Sequence, residues 1–242
     1  SQKDPGDASL LAYKLKALRM LGNTDIALAQ ADQALVRFPG DAGADRPMDA
    51  RAVQLAIAQE LQHGNPDGNV WRPGEVDVSI RPGWFHHPEE DGCVRDVSNL
   101  VDLYFRSVGR NASLLLNVPP TAEGRFHDTD AARLVAFGRR MADLFANDVF
   151  ADARVGVVEG AYEVSLPEPR AFGVLRLAEP IACGQRVARH CVRFRDAFGV
   201  WSWLLDGDTI GNQRLHLFEP VVADRLRVEI SRHRGPVPAP LS

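Results

Sequence analysis

Two short strands decide the fold of this chain: VDVSI at residues 76–80 and SLLLNV at residues 113–118. The second strand is a continuous apolar run, which is typical of strands buried in parallel sheets. Apolar residues at helical spacing predict one helix over residues 97–108 and another over residues 130–145. Each strand is therefore followed by a helix. Two successive β/α units are typical of the closing quarter of a (β/α)8 barrel, here over residues 63–150.

After residue 155 the apolar residues recur with a period of two, which predicts short strands separated by Gly and Pro turns. The predicted strands cover residues 162–166, 172–177, 185–194, 201–205, 215–218 and 226–230. Such a series indicates an antiparallel, jelly-roll-like β-sandwich over residues 151–242. The module is small for a sandwich, so we expect its opening strands to be absent.

The N-terminal segment, residues 1–62, has a helical pattern. Residues 8–38 predict a helical hairpin, and residues 48–62 predict a third helix. The hairpin resembles one tetratricopeptide repeat through Gly22, Ala27, Ala34, Leu35 and Pro39. A single repeat cannot bury its own apolar face. Residues 8–39 therefore either bind a protein partner as part of a repeat array or pack as a simple helical pair on the rest of the chain.

Together these patterns predict an α+β multidomain chain with an N-terminal helical hairpin, a partial (β/α) barrel remnant and a C-terminal antiparallel β-sandwich. The net charge of -4 and the 25% content of charged residues indicate no nucleic-acid partner. No apolar run reaches the roughly 18 residues that a membrane span needs, and the first residues lack a signal-peptide core. Three cysteines do not make a disulfide framework, although one Cys183–Cys191 bridge is left open.

Two longer motifs surround the deciding strands. Residues 71–87 read WRPGEVDVSIRPGWFHH, and residues 107–120 read SVGRNASLLLNVPP. They resemble the late active-site strand and the last barrel strand of the α-L-fucosidases, glycoside hydrolase family 29. The segment after residue 150 is similar to that family's galactose-binding-like C-terminal domain, so the resemblance covers about residues 60–235. It implies retaining hydrolysis of terminal α-L-fucose from fucosylated glycans or oligosaccharides, no cofactor, and a periplasmic or secreted full-length protein. Localisation stays open, because this chain shows no signal peptide.

Polar residues at the ends of barrel strands face the catalytic side, and tryptophan rings stack on the apolar faces of sugars. The candidate site consists of Glu75 as the catalytic carboxylate, acting as acid/base or in support, with Trp71, Asp77, Trp84, His86 and Asn117 as substrate contacts. Either tryptophan could instead be packed structure, and Asn117 could merely hold the Pro-Pro turn. The acidic run at residues 89–91 is interpreted as a solvated loop. No metal site is predicted, because no third ligand follows the paired histidines at zinc-like spacing.

Retaining glycosidases need two carboxyl groups about 5 Å apart. The resemblance implies an Asp nucleophile after an aromatic residue, upstream of Glu75, and the sequence contains no such segment. We therefore expect a fragment or degenerate copy with little activity alone. One alternative is a non-catalytic carbohydrate-binding protein, in which Trp201 and Trp203 form a platform, although both could equally face the core. The second alternative is a repeat-mediated protein-interaction chain.

Overall fold

The structure, a computed structural model, describes residue 71 and residues 73–235. The predicted helices at residues 1–62, the repeat likeness and the protein-binding segment at residues 8–39 lie outside these residues. The Cys183–Cys191 bridge that the sequence left open is not formed, because the described Cys191 is a free cysteine. Within the described part, no helix is both long and apolar enough to cross a membrane.

The first region contains two parallel strands and two helices. Strand β1 (Gly74–Ser79) pairs with β2 (Ala112–Asn117), and Ser79 lies opposite Asn117 at their carboxyl ends. Helix α1 (Val97–Arg106) connects the two strands, and α2 (Asp128–Leu144) follows β2. The strands and helices predicted here are confirmed, with bounds that differ by a few residues.

Both helices begin at a side-chain cap and pack on the same face of the strand pair. The Asp96 carboxylate accepts a hydrogen bond of 2.7 Å from the Asn99 N–H at the start of α1, and this bond lowers the pKa of Asp96. Between the strands and the helices, Val76 and Val78 of β1 and Leu100 of α1 are almost fully buried. One face of the parallel pair is thus a packed core.

The second region is a five-stranded antiparallel sheet in the order β3-β4-β7-β5-β6. Its strands are β3 (Arg154–Val158), β4 (Ala161–Leu177), β5 (Val187–Arg195), β6 (Trp201–Gly207) and β7 (Arg214–His233). The antiparallel prediction is confirmed, but the element count differs. The strands predicted at 162–166 and 172–177 are both parts of β4, those predicted at 215–218 and 226–230 are both parts of β7, and β3 was not predicted.

Prolines explain why the long strands were predicted as short ones. Pro167 and Pro220 are predicted to end strands, yet Pro167 lies inside β4 and Pro220 lies inside β7. Proline has no N–H to donate to the ladder, so it is tolerated where the pairing is already irregular. The register shifts between Ser165 and Arg170, around Pro167, and again beside Pro220. Each proline therefore accompanies an irregularity in a continuing strand.

The two regions meet at a close backbone junction. The Leu215 N–H donates a 2.9 Å hydrogen bond to the Gly109 carbonyl, and the Asn111 amide nitrogen donates a 2.8 Å bond to the Ile210 carbonyl. A Cβ at Gly109 would lie 2.4 Å from the Phe105 carbonyl oxygen, so only glycine fits there. Hydrogen bonding and tight packing thus connect the sheet to the β/α region.

Candidate functional site

Among the described residues, no helix or strand packs on one face of the parallel pair, and this face carries the candidate carboxylates. Side chains alternate along a strand, so Glu75, Asp77 and Ser79 point away from the helices. The register sets them opposite Ser113, Leu115 and Asn117. We call these six residues the open face. Glu75 is exposed, Asp77 is half-buried, and Leu115 is 54% exposed although it is an apolar strand residue.

Asn117 connects the end of β2 to the loop that carries Trp84. Its side-chain nitrogen donates hydrogen bonds of 3.1 Å each to the Ser79 hydroxyl and the Trp84 carbonyl. The Ile80 N–H donates a 2.9 Å bond to the Asn117 carbonyl, which holds the strand ends together. Asn117 thus fixes the loop after β1, and Trp84 is presented there with 37% of its surface exposed.

An ion cluster lies behind this loop, formed by Arg81, His86, Asp91, His127 and Asp130. Arg81 is 1% exposed, and its Nε donates a 2.9 Å hydrogen bond to the buried Asp130 carboxylate. Its Nη2 lies 2.8 Å from Asp91 Oδ1. The ring nitrogens Nε2 of His86 and His127 lie 3.2 and 3.3 Å from the Asp91 carboxylate oxygens. The cluster thus joins the loops that follow β1 and β2.

Pairing outweighs burial in the electrostatics of the ion cluster. Burial alone would lower the pKa of Arg81, but the hydrogen bonds that Arg81 donates to Asp130 and Asp91 raise that pKa above its ordinary value. Burial alone would raise the pKa of Asp91, yet the bond from Arg81 holds it below its usual range. Arg81 and Asp91 therefore remain a charged pair at neutral pH.

His86, Asp91 and His127 form a group that could hold a metal ion, since their ligand atoms all lie within 4.8 Å of one another. The sequence spacing did not reveal this group, because His127 comes from a different loop. The hydrogen bonds of these three residues instead favour a network in which ring N–H groups donate to the Asp91 carboxylate. The His127 Nδ1 accepts the Thr129 N–H at 3.3 Å, which puts the ring proton on Nε2, the atom that faces Asp91. The Arg81 cation beside Asp91 also disfavours a second cation.

The structure brings together most of the predicted site residues. Glu75 and Asp77 share the open face, while hydrogen bonds join Asn117 to the Trp84 loop. His86 belongs to the ion cluster, and its side chain is only 12% exposed. Trp71 is half-buried and precedes β1. The positions of these residues do not by themselves establish a contact with a substrate, so their substrate-binding roles stay predictions.

Sequence reasoning missed four members of the ion cluster: Arg81, Asp91, His127 and Asp130. The interpretation of residues 89–91 as a solvated loop is wrong for Asp91, because Arg81 pairs with it. One signal was present in the sequence. Arg81 directly follows a strand of the buried type, and a cation that is buried at such a strand end needs a counter-charge.

A second buried group of titratable residues lies in the sheet. The His190 Nδ1 donates a 2.8 Å hydrogen bond to the Asp208 carbonyl, because a carbonyl can only accept. Its Nε2 lies 3.2 Å from the Nε2 of His216. Burial lowers the pKa of His190 to about 4 and that of His216 to about 2. Both rings are therefore neutral at pH 7.

A cavity of about 1220 Å³ lies between the end of α2 and the long strands β4 and β7. Its lining includes the aromatic side chains of Phe145, Phe172 and Phe218. It lies away from Glu75, and the Phe172 and Tyr162 side chains on its wall belong to the sheet core. We therefore assign the candidate site to the open face and not to this cavity.

Comparisons with known proteins agree with the sequence motifs. A family model described as alpha-L-fucosidase matches residues 43–143. Alpha-L-fucosidase 1 of Arabidopsis thaliana is 33% identical over 206 residues, covering 72% of this chain and 40% of that protein. The chain therefore spans about two fifths of the length of this relative.

Solved structures are similar as well. The crystal structure of a glycoside hydrolase 29 family member from an unknown rumen bacterium is 34% identical, with a TM-score of 0.68, covering 74% of this chain and 34% of that one. A Ruminococcus gnavus GH29 fucosidase in complex with fucose is 28% identical with a TM-score of 0.61, covering 68% of this chain and 39% of that one.

Proposed function

This chain belongs, over the part that its relatives cover, to the family 29 α-L-fucosidases, and we propose that its open face forms part of a site for retaining hydrolysis of terminal α-L-fucosides. One observation carries the proposal. Glu75 and Asp77 stand on the uncovered face of a parallel strand pair whose other face is packed against helices. In barrels of parallel strands, catalytic side chains come from strand ends and the loops that follow them.

Glu75 is the proposed acid/base. In a double displacement, one carboxylate attacks the anomeric carbon while the other donates a proton to the leaving oxygen and later takes one from water. Glu75 is exposed and so can reach a bound glycoside. On the two described strands of this region, Asp77 is the one other carboxylate, and we propose that it binds sugar hydroxyls. The nucleophile would then come from another strand, so we expect this chain to be a slow catalyst alone.

The remaining predicted residues have proposed substrate roles of different kinds. Trp84 would stack on the apolar patch around the C5 methyl group of fucose. Asn117 would act mainly by positioning Trp84, through its bond to the Trp84 carbonyl. His86 would orient the same loop through Asp91. Trp71, which precedes β1, would complete the wall of the site. The expected substrate is a fucosylated glycan or oligosaccharide, as the fucose bound to the Ruminococcus gnavus relative suggests.

We also propose the finer architecture that this function requires. Residues 63–150 would be the C-terminal portion of an eight-stranded barrel, and residues 151–242 a jelly-roll-like sandwich. The exposed Leu115 supports the first point, because an interior barrel position would be covered by further strands. The second is supported by the long strands β4 and β7, whose register breaks near Pro167 and Pro220 would let the sheet bend over the core that contains Phe172, Val192 and Leu226.

The test is hydrolysis of 4-nitrophenyl α-L-fucopyranoside by the full chain at high protein concentration. Glu75→Gln should lower the rate about 10²- to 10⁴-fold, since this is the usual contribution of general acid/base catalysis. Glu89→Gln, which changes an exposed loop carboxylate, is the matched control and should have no effect. An equal rate in Glu75→Gln would remove Glu75 from the chemistry, and equal hydrolysis of a β-D-galactoside would contradict the assigned substrate.

A further inference from the structure

Two tryptophans lie on β6, which is the edge strand of the five-stranded sheet. Trp201 and Trp203 are two residues apart, so they point to the same side of the strand. Trp203 is 60% exposed, and Trp201 is half-buried beneath the Arg227 guanidinium, whose carbon lies 4.5 Å from the ring centroid. Neither ring is part of the sheet core. Of the two placements that the sequence allowed for Trp201 and Trp203, a surface platform or the sheet core, the structure has the surface one.

Arginines continue this surface across the neighbouring strands. The register sets Arg195 opposite Trp201 and Arg193 opposite Trp203, and Arg227 of β7 lies opposite Arg193. Directly opposed residues of antiparallel strands share one face. We call this surface the outer face, defined by Trp201, Trp203, Arg193, Arg195 and Arg227. It lies opposite the core face, which carries Val192, Leu226 and Val228.

Each arginine of the outer face is paired with a carboxylate. Arg193 Nε lies 3.2 Å from Glu229 Oε1, with both side chains more than two fifths exposed. Arg227 Nε donates a 2.9 Å hydrogen bond to Glu163, and Arg195 Nε donates a 3.0 Å bond to Asp224. Arg225, which the register sets opposite Arg195, donates a 2.9 Å bond to the same Glu163, and Arg227 Nη1 also lies 3.7 Å from Glu159. These four arginines thus contact four carboxylates, so the surface has no excess of cations to attract a polyanion, but it has many donors and acceptors at fixed positions.

We propose that the outer face is a non-catalytic binding site for a neutral oligosaccharide. A pyranose ring would stack on the exposed Trp203 indole, and its hydroxyls would bond to the adjacent Arg193–Glu229 pair. This combination suits a sugar because a pyranose has an apolar face of C–H groups surrounded by uncharged hydroxyls. A nucleic acid would need unpaired cations, and a membrane would need a wider apolar area. This inference goes beyond the proposed hydrolysis and does not depend on Glu75.

Affinity electrophoresis of the full chain tests the proposal. Native gels would contain fucose-free xyloglucan, galactomannan or a mixed-linkage β-glucan as neutral polymers that the open face does not select, with heparin as the polyanionic comparison. We expect retardation by at least one neutral polymer and none by heparin. Trp203→Ala should weaken binding about tenfold, the loss of one aromatic contact. Trp203→Phe should keep part of it, because the ring remains.

Two further variants separate the outer face from the open face. Glu229→Gln keeps the shape of the side chain and should weaken binding about threefold. Trp84→Ala should leave retardation unchanged. The proposal is overturned by retardation in no neutral gel, by stronger retardation in heparin, or by a loss that follows Trp84→Ala and not Trp203→Ala. A concentration-dependent dimer in sedimentation that Trp203→Ala abolishes would also overturn it, since the surface would then be a protein interface.

Discussion

The parallel strand pair and the antiparallel sheet each have one packed face, but this means different things in the two regions. In the antiparallel sheet, Val192 and Leu226 are buried while the other face carries ion pairs. Antiparallel sheets commonly expose one face to water, whereas parallel sheets are normally covered on both. The open face instead exposes Leu115, an apolar residue of the buried-strand type, beside Glu75. The exposed face of the antiparallel sheet is polar, as expected of a face that meets water. The exposed face of the parallel pair carries an apolar residue, as expected of a face that further strands would cover.

The largest expected effect concerns the ion cluster, which holds the parallel pair to its loops. Asp130→Asn removes the charge that faces the fully buried Arg81. It should lower the free energy of unfolding by about 3 kcal/mol, because the buried Arg81 keeps only the partly exposed Asp91 as its counter-charge. Urea denaturation checks this value. The matched control is Asp102→Asn, which breaks the exposed pair with Arg106 and should cost below about 1 kcal/mol. Equal losses would show that the cluster does not support this region.

Paired leucine truncations test the comparison most simply. Leu226→Ala empties a site that is 1% exposed and should cost about 3 kcal/mol, from lost burial and the cavity left behind. Leu115→Ala removes a side chain that is already 54% exposed and should cost below about 1 kcal/mol. Thermal unfolding of both variants measures the difference. A large loss in Leu115→Ala would mean that this residue is covered in the folded chain and that the open face is not open.

The antiparallel sheet should also have its own acid sensitivity. Burial lowers the pKa of His190 to about 4, so between that pH and the ordinary histidine value only the unfolded chain binds the proton. The contribution to stability is complete above about pH 6.5 and is lost as the pH falls toward 4. His190 alone should lower the free energy of unfolding by about 2 kcal/mol when the pH falls from 7.5 to 5.

Denaturation across this pH range checks the expectation. His216→Gln should reduce the slope by about half, because it removes the contribution of the partner ring, whose pKa is also lowered by burial, and leaves that of His190. The exposed His233 provides the matched control, and His233→Gln should leave the slope unchanged. A profile that stays flat in the unaltered chain would show that neither buried ring resists protonation.

The sequence was most informative where the local pattern and the motif agreed. The strands at β1 and β2 and both helices were predicted from periodicity, and the α-L-fucosidase likeness predicted from residues 71–87 and 107–120 is confirmed by the comparisons. Strand β3 was missed because all five of its residues, including Val155 and Val157, are exposed. An exposed strand has no buried alternation for the period to reveal.

The ion cluster could not be predicted for a different reason. Arg81 and Asp130 are 49 positions apart, and they meet only because the parallel register aligns the ends of β1 and β2. Long-range pairing of this kind leaves no local periodicity in the sequence. By contrast, Glu75 and Asp77 were both named as candidate site residues from the sequence, and their two-residue spacing along β1 puts them on one face.

The most direct test of the central claim, that the open face is an α-L-fucoside site, is a titration of the full 15N-labelled chain with methyl α-L-fucopyranoside, followed by NMR at the tryptophan indole N–H signals. The D enantiomer is the matched control. We expect the Trp84 signal to shift saturably with the L sugar and not with the D sugar, and the shift to be weakened in Asp77→Asn. An unchanged Trp84 signal, or equal shifts with both enantiomers, would contradict the assignment of this face to α-L-fucose.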